Sequence, residues 1–163
     1  FGTPDEVVEV WDGKTVTEPA YDPATATYTV KNGAELAWIA QTVSGVTRAT
    51  QADLVGKTIV LSKDIELGGN EWLPIGHPVG GSSYTNAFKG TFDGQGHSVM
   101  NFVVNNSKCA GLFGCLVGAT VKNVTVSNAK ITSNHYAGAI AGWAESGARL
   151  NNIINCHTFF YSK

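Results

Sequence analysis

Apolar and polar positions alternate along this chain in short runs, and one six-residue version returns. Val99-Met100-Asn101-Phe102-Val103-Val104, Val121-Lys122-Asn123-Val124-Thr125-Val126 and Leu150-Asn151-Asn152-Ile153-Ile154-Asn155 each read apolar, variable, Asn, apolar, variable, and end on Val, Val and Asn155. Asn101 and Asn123 lie 22 positions apart and Asn123 and Asn152 lie 29 apart, which suits one turn of a solenoid better than a hairpin. Runs this rich in Val, Ile and Phe predict strands. The gaps between them lack helical periodicity and carry Gly-rich segments, so further short strands with tight turns are expected there. Gly111-Leu112-Phe113-Gly114 in one gap matches Ala139-Ile140-Ala141-Gly142 in the next, giving Gly111, Gly114 and Gly142 structural roles. Strands that recur in one direction and stack on themselves predict an all-β fold, a parallel β-helix. Asn101, Asn123 and Asn152 are then expected to form one column at a bend, each amide bonded to the next.

Upstream of the repeats the pattern changes. Val7 to Trp11 reads as a short strand entering the Asp12-Gly13 turn, and Ala26 to Lys31 as a second strand, with Pro19 and Pro23 holding an extended loop between them. Asn32 precedes a helix pattern as an N-cap, with Glu35 at the third helical position. Leu36, Ile39, Ala40 and Val43 share one face, and Gly45 ends the helix. An open first coil exposes strand edges and apolar core, so Leu36, Ile39 and Val43 are expected to plug it. Strands follow at Thr58 to Leu61, Asp64 to Leu67 and Phe88 to Phe92, with a long irregular stretch from Gly68 to Asn86. The expected organisation is a strand pair and capping α-helix over residues 1–54, then β-helix coils over 55–163, as one continuous unit. The tail His157 to Lys163 is aromatic and strand-prone with no cap after it, so a fragment of a longer chain, or an edge buried by self-association, is expected.

The run Phe88-Lys89-Gly90-Thr91-Phe92-Asp93-Gly94-Gln95-Gly96-His97-Ser98-Val99, then Gly111-Leu112-Phe113-Gly114 and Ala119-Thr120-Val121-Lys122-Asn123-Val124, resembles the GLUG-motif repeats of Bacteroidetes and Firmicutes surface proteins. The resemblance extends back through Asp64-Ile65-Glu66-Leu67-Gly68-Gly69 and Trp72-Leu73-Pro74-Ile75-Gly76, covering about residues 55–156. It implies a right-handed β-helix on a secreted or surface-anchored bacterial protein, and it supplies no catalytic residues.

Composition narrows the choices. The chain has 163 residues, 19 Gly, 15% charged and 43% hydrophobic residues, which fits one all-β domain with many turns. A net charge of −2 with scattered Lys and Arg leaves no basic stripe, which argues against nucleic acid. There is no 18-residue apolar run to form a transmembrane segment. The chain starts at Phe1, which suggests a processed N-terminus. Cys109, Cys115 and Cys156 are an odd number and form no disulfide framework; Cys109 and Cys115 flank the Gly-rich turn, which leaves their pairing open, while Cys156 reads as core filler. No Cys or His spacing suits a metal, and Gly94-Gln95-Gly96 lacks the third Gly and the helix of a dinucleotide loop, so no metal or cofactor is expected.

Catalysis needs its own test, because β-helices host polysaccharide lyases and hydrolases. Asp64, Glu66 and Asp93 are the candidate carboxylates, but they read as solvated or turn residues. Arg48 and Arg149 are isolated, and His77, His97, His135 and His157 are dispersed. The sequons at Asn105 and Asn123 are set aside, Asn123 belonging to the expected ladder. Long loops carry function, and Trp72, His77 and Tyr84 lie in the longest one; with Trp143 they are the candidate binding residues, since aromatic faces stack on sugar rings. The sequence thus points to a non-enzymatic, adhesin-like module for a glycan or host surface ligand. The alternatives are a polysaccharide-acting enzyme and a structural spacer.

Overall fold

The computed structural model describes residues 8–45, 52–78, 86–145 and 151–159. The readings above for Val7, Arg48, Tyr84, Arg149, Leu150 and the tail from Phe160 fall outside these residues. The elements are β1 (Ala20–Asp22), β2 (Thr27–Val30), α1 (Gly33–Ser44), β3 (Thr58–Leu61), β4 (Ile65–Glu71), β5 (Thr91–Asp93), β6 (Ser98–Ala110), β7 (Phe113–Val117), β8 (Thr120–Lys122), β9 (Thr125–Ala137), β10 (Ala141–Glu145), β11 (Asn152–Ile154) and β12 (His157–Phe159).

Three sheets wrap one core. In the first, β2, β3, β5, β8 and β11 stack in parallel, with β1 antiparallel on β2. In the second, β4, β6, β9 and β12 stack in parallel. The third pairs β7 with β10 and is prolonged by bridges from Ile75 to Phe113 and from Phe88 to Leu116. The chain visits the sheets in the same order on each circuit, making a parallel β-solenoid of about four turns. Equivalent apolar residues therefore fall directly above one another. Ile59, Phe92 and Val121 form one inward stack, and Ile65, Val99 and Val126 another, all fully buried. Each such side chain stabilises the fold by about 1.5–3 kcal/mol.

The N-terminal end is closed in two ways. α1 starts at Asn32, whose Oδ1 accepts from the Glu35 amide at 2.9 Å while the Glu35 carboxylate accepts from the Lys31 amide at 3.0 Å. It ends at Gly45 in the left-handed region, φ 67°. Leu36, Ile39 and Val43 are fully buried in the main core, as the plug requires. The expected strand at Val7 to Trp11 is replaced by a single parallel bridge from Val10 to Glu66, which covers the edge of β4. The hairpin partner of β2 is β1, a short strand held extended between Pro19 and Pro23. Since β2 also pairs with β3, the N-terminal segment is hydrogen-bonded into the first solenoid sheet.

The asparagine column takes a different form from the one expected. Asn155 Nδ2 donates to Asn123 Oδ1 at 2.9 Å, and Asn123 Nδ2 to Asp93 Oδ1 at 3.1 Å. Asn128 Nδ2 donates to Asn101 Oδ1 at 2.7 Å, and Asn101 Nδ2 to Glu66 Oε2 at 2.7 Å. There are two ladders, and Asn101 and Asn123 belong to different ones. Asn152 is in neither: it lies exposed in β11, at register with Thr120. The reason is conformational. Apolar, variable, Asn, apolar marks any place where a left-handed residue separates two inward-pointing side chains, and Asn tolerates φ near +55° at low cost. Each coil has two such places. Asn123 and Asn155 turn the corner between the first and second sheets, at φ 56° and 51°, while Asn101 and Asn128 kink the second sheet itself, at φ 60° and 53°. Matching residues are 27 or 32 positions apart, the true coil lengths here.

The glycine correspondence holds as expected. Ala141 stands at register with Phe113, which puts Gly142 level with Gly114, and the Ile75 bridge brings Gly76 into the same column. A Cβ on Gly114 would lie 2.7 Å from the Gly76 carbonyl oxygen, and one on Gly142 2.6 Å from the Ala110 nitrogen. At Gly111 it would collide with the Gly138 carbonyl. These positions admit no side chain because neighbouring coils touch backbone to backbone.

Candidate ligand-binding surface

β6 and β9 are 13 residues each, far longer than the three- and four-residue strands of the first sheet. The distal half of β9 carries Tyr136, whose ring packs against Trp143 of β10 in the third sheet. The Tyr136 and Trp143 rings pack against each other, with centroids 4.4 Å apart and planes tilted by 58°. Tyr136 is 38% exposed and Trp143 half-buried. Trp143 Nε1 donates to Glu145 Oε2 at 3.0 Å, which fixes the indole and puts a carboxylate beside it. His135 lies beyond, its ring 6.3 Å from Tyr136. Beneath the indole, Ala87, Cys109 and Cys115 make a small apolar cluster of their own.

Trp72 and His77 come together elsewhere. Both line a groove of about 420 Å³ with Gly13, Glu71, Leu73 and Asn105. Trp72 is a buried wall of that groove, 2% exposed. Its indole meets Trp11 edge to face at 5.8 Å, and its Nε1 donates to the Leu112 carbonyl at 3.1 Å. β4 runs on to Glu71 rather than ending near Leu67, and the Trp72 amide still bonds the Val103 carbonyl, so the residue is held as sheet and not as loop. His77 is half-buried, which disfavours its charged form and lowers its pKa from the ordinary value. Its backbone amide donates to Ser44 Oγ at 2.9 Å.

The candidate catalytic carboxylates are engaged in the frame. Asp64 Oδ1 accepts from the Ser98 amide at 2.9 Å and meets His97 Nδ1 at 3.2 Å. Glu66 accepts from the Gly68 amide and from Asn101, and Asp93 from the Gln95 amide and Asn123. Among the described residues no three His, Cys, Asp or Glu side chains gather as a metal site, and no helix is long and apolar enough to cross a membrane.

Trp143 is among the residues the sequence singles out, whereas Tyr136 and Glu145, which the structure brings to it, are not. Glu145 is two residues from Trp143, the spacing of side chains on one face of a strand, and that signal was available. Tyr136 was hidden because its neighbour is set by the offset between β9 and β10.

Fold and surface together define a parallel β-solenoid module with a partly exposed aromatic pair beside its third sheet. Over 75 residues the chain is 39% identical to Halomucin of Haloquadratum walsbyi (strain DSM 16790 / HBSQ001), a match covering 44% of this chain and 1% of that protein. The chain is thus similar to a short stretch of a much longer protein. No family model matches the chain, and no solved structure matches it.

Proposed function

We propose that this chain is a non-enzymatic, glycan-binding module of a secreted or cell-surface protein, a β-solenoid of the GLUG-repeat kind. The observation that carries the reading is the Tyr136–Trp143 aromatic pair, with Tyr136 38% exposed and the Glu145 carboxylate beside the indole. A pyranose ring offers a C–H face that stacks on an aromatic ring and hydroxyls that donate to a carboxylate, so the three side chains match both halves of a sugar. Likeness to a protein named as a mucin supports an outer location. Binding without turnover is favoured over hydrolysis because glycoside cleavage takes two carboxylates about 5–10 Å apart and available to the substrate. Here Asp64, Glu66 and Asp93 each hold backbone amides and neighbouring side chains instead.

A panel of plant and host glycans, read by tryptophan fluorescence and by chromatography of the products, tests this. Retention without degradation is expected, with binding lost in Trp143→Ala and weakened about tenfold in Tyr136→Ala. Shortened glycans in the product would establish the polysaccharide-acting enzyme instead. Absence of any binding would leave the structural spacer, a reading favoured by the repeating coil and by the small share of Halomucin that the chain matches.

A further inference from the structure

Cys109, one residue from the end of β6, and Cys115, in the middle of β7, bring their Sγ atoms to 3.3 Å. Both side chains are fully buried, in the cluster with Ala87 against which Val117 and Trp143 pack. Trp143 stands at the register position of Cys115 one coil further on. The five residues between the cysteines include Gly111 and Gly114, and they return the chain so that the two sulfurs face each other. Cys156 sits apart, half-buried with its Sγ 3.6 Å from the Val121 carbonyl in the core of the last coil.

We propose that Cys109 and Cys115 are a disulfide site, closed by exchange with a low-molecular-weight disulfide and stapling β6 to β7 beneath the Tyr136–Trp143 pair. One protein thiolate attacks a sulfur of the small disulfide and expels one small thiolate. The other then attacks the mixed disulfide and expels the second. Two protein thiols are oxidised, one small disulfide is reduced to two thiols, and the protein's two protons pass to the released thiolates. The sulfurs, in contact at 3.3 Å, need to approach to a bond of about 2.05 Å. Burial raises the pKa of both thiols, so the thiolate is scarce in the folded chain. Closure accordingly takes place during folding, before β10 lays Trp143 against the pair.

The test is to refold the chain in excess glutathione disulfide, quench with acid, unfold in urea with N-ethylmaleimide and digest with trypsin. Lys108 and Lys122 bracket a single peptide, residues 109–122, that holds both cysteines and no other cleavage site. The expected peptide is unlabelled and lighter by two hydrogens than its dithiol, and treatment with dithiothreitol before labelling restores two maleimides. Cys156 takes one label when dithiothreitol precedes labelling. The oxidised chain should melt roughly 5 °C above the reduced one. A 109–122 peptide carrying two maleimides or two glutathiones after oxidative refolding overturns the proposal.

Discussion

Asn155 donates its side-chain amide to Asn123 Oδ1 at 2.9 Å across 32 residues of chain, and both residues have left-handed backbones. One residue type thus does two jobs at the same corner: it lets the strand turn, and it ties that turn to the next. Asn123→Ala removes the hydrogen bonds to Asp93 and Asn155 and leaves at a φ of 56° a residue that tolerates the left-handed region less well than Asn, for a cost of roughly 2 kcal/mol. Asn152→Ala, on an exposed strand outside both ladders, should change stability by less than about 0.5 kcal/mol. Urea unfolding of both variants checks this, and equal costs would refute the two-ladder description.

Leu36 tests the helical plug. It is fully buried in the core that α1 closes, so Leu36→Ala should lose about 2–5 kcal/mol. Leu36→Asp puts a charge into the same place and should yield insoluble protein. Soluble, monomeric Leu36→Asp by size-exclusion chromatography would count against the cap.

Asp12 gives a pH dependence with a definite sign. The Thr15 hydroxyl, then the Thr15 and Lys14 amides, hold its carboxylate and lower the pKa from 3.8 to about 2. A carboxyl depressed on folding stabilises above its unfolded pKa and loses that contribution as pH falls through the folded one. The turn at Gly13 should therefore loosen between pH 3.8 and about 2. Carbon-detected NMR titration should put the Asp12 midpoint near 2, and Thr15→Val should move it upward. A midpoint at the ordinary value in the unmodified chain would falsify the assignment.

The last coil bears on self-association. β11 ends the first sheet among the described residues, and its Ile153 and Ile154 are 48% and 53% exposed. Isolated strand edges with apolar side chains recruit partners. We expect concentration-dependent association in sedimentation velocity that Ile153→Lys reduces. Identical sedimentation of the two proteins would remove this edge as the contact.

Much of the architecture was legible before any coordinates. The match between Gly111–Gly114 and Ala139–Gly142 survived as true register because it marks backbone contact between coils, which only Gly and small residues permit. The helix was legible for a similar reason: its cap residues and its apolar spacing are local signals. The asparagine register was misread because two bends with different places in the coil ask the same thing of the backbone. Asn101 and Asn123 look equivalent in sequence and do equivalent work, one within a sheet and one between sheets.

The candidate site was only half legible. Trp72 lies in a stretch that reads as loop, but the sheet continues beneath it and Trp11 folds over its ring. Tyr136 reads as one more residue of a polar strand until β9 is laid beside β10.

The sequence by itself determined the coil, because period-two alternation chooses which side chains enter the core, and Gly and Asn choose where the backbone bends. Those are properties of a few neighbouring residues. Which coil lies on which, and therefore which sulfur meets which sulfur and which ring faces Trp143, was decided only by the tertiary stacking. A parallel solenoid joins residues about thirty apart through hydrogen bonds that are alike at every register, so only the packing of the whole core selects one.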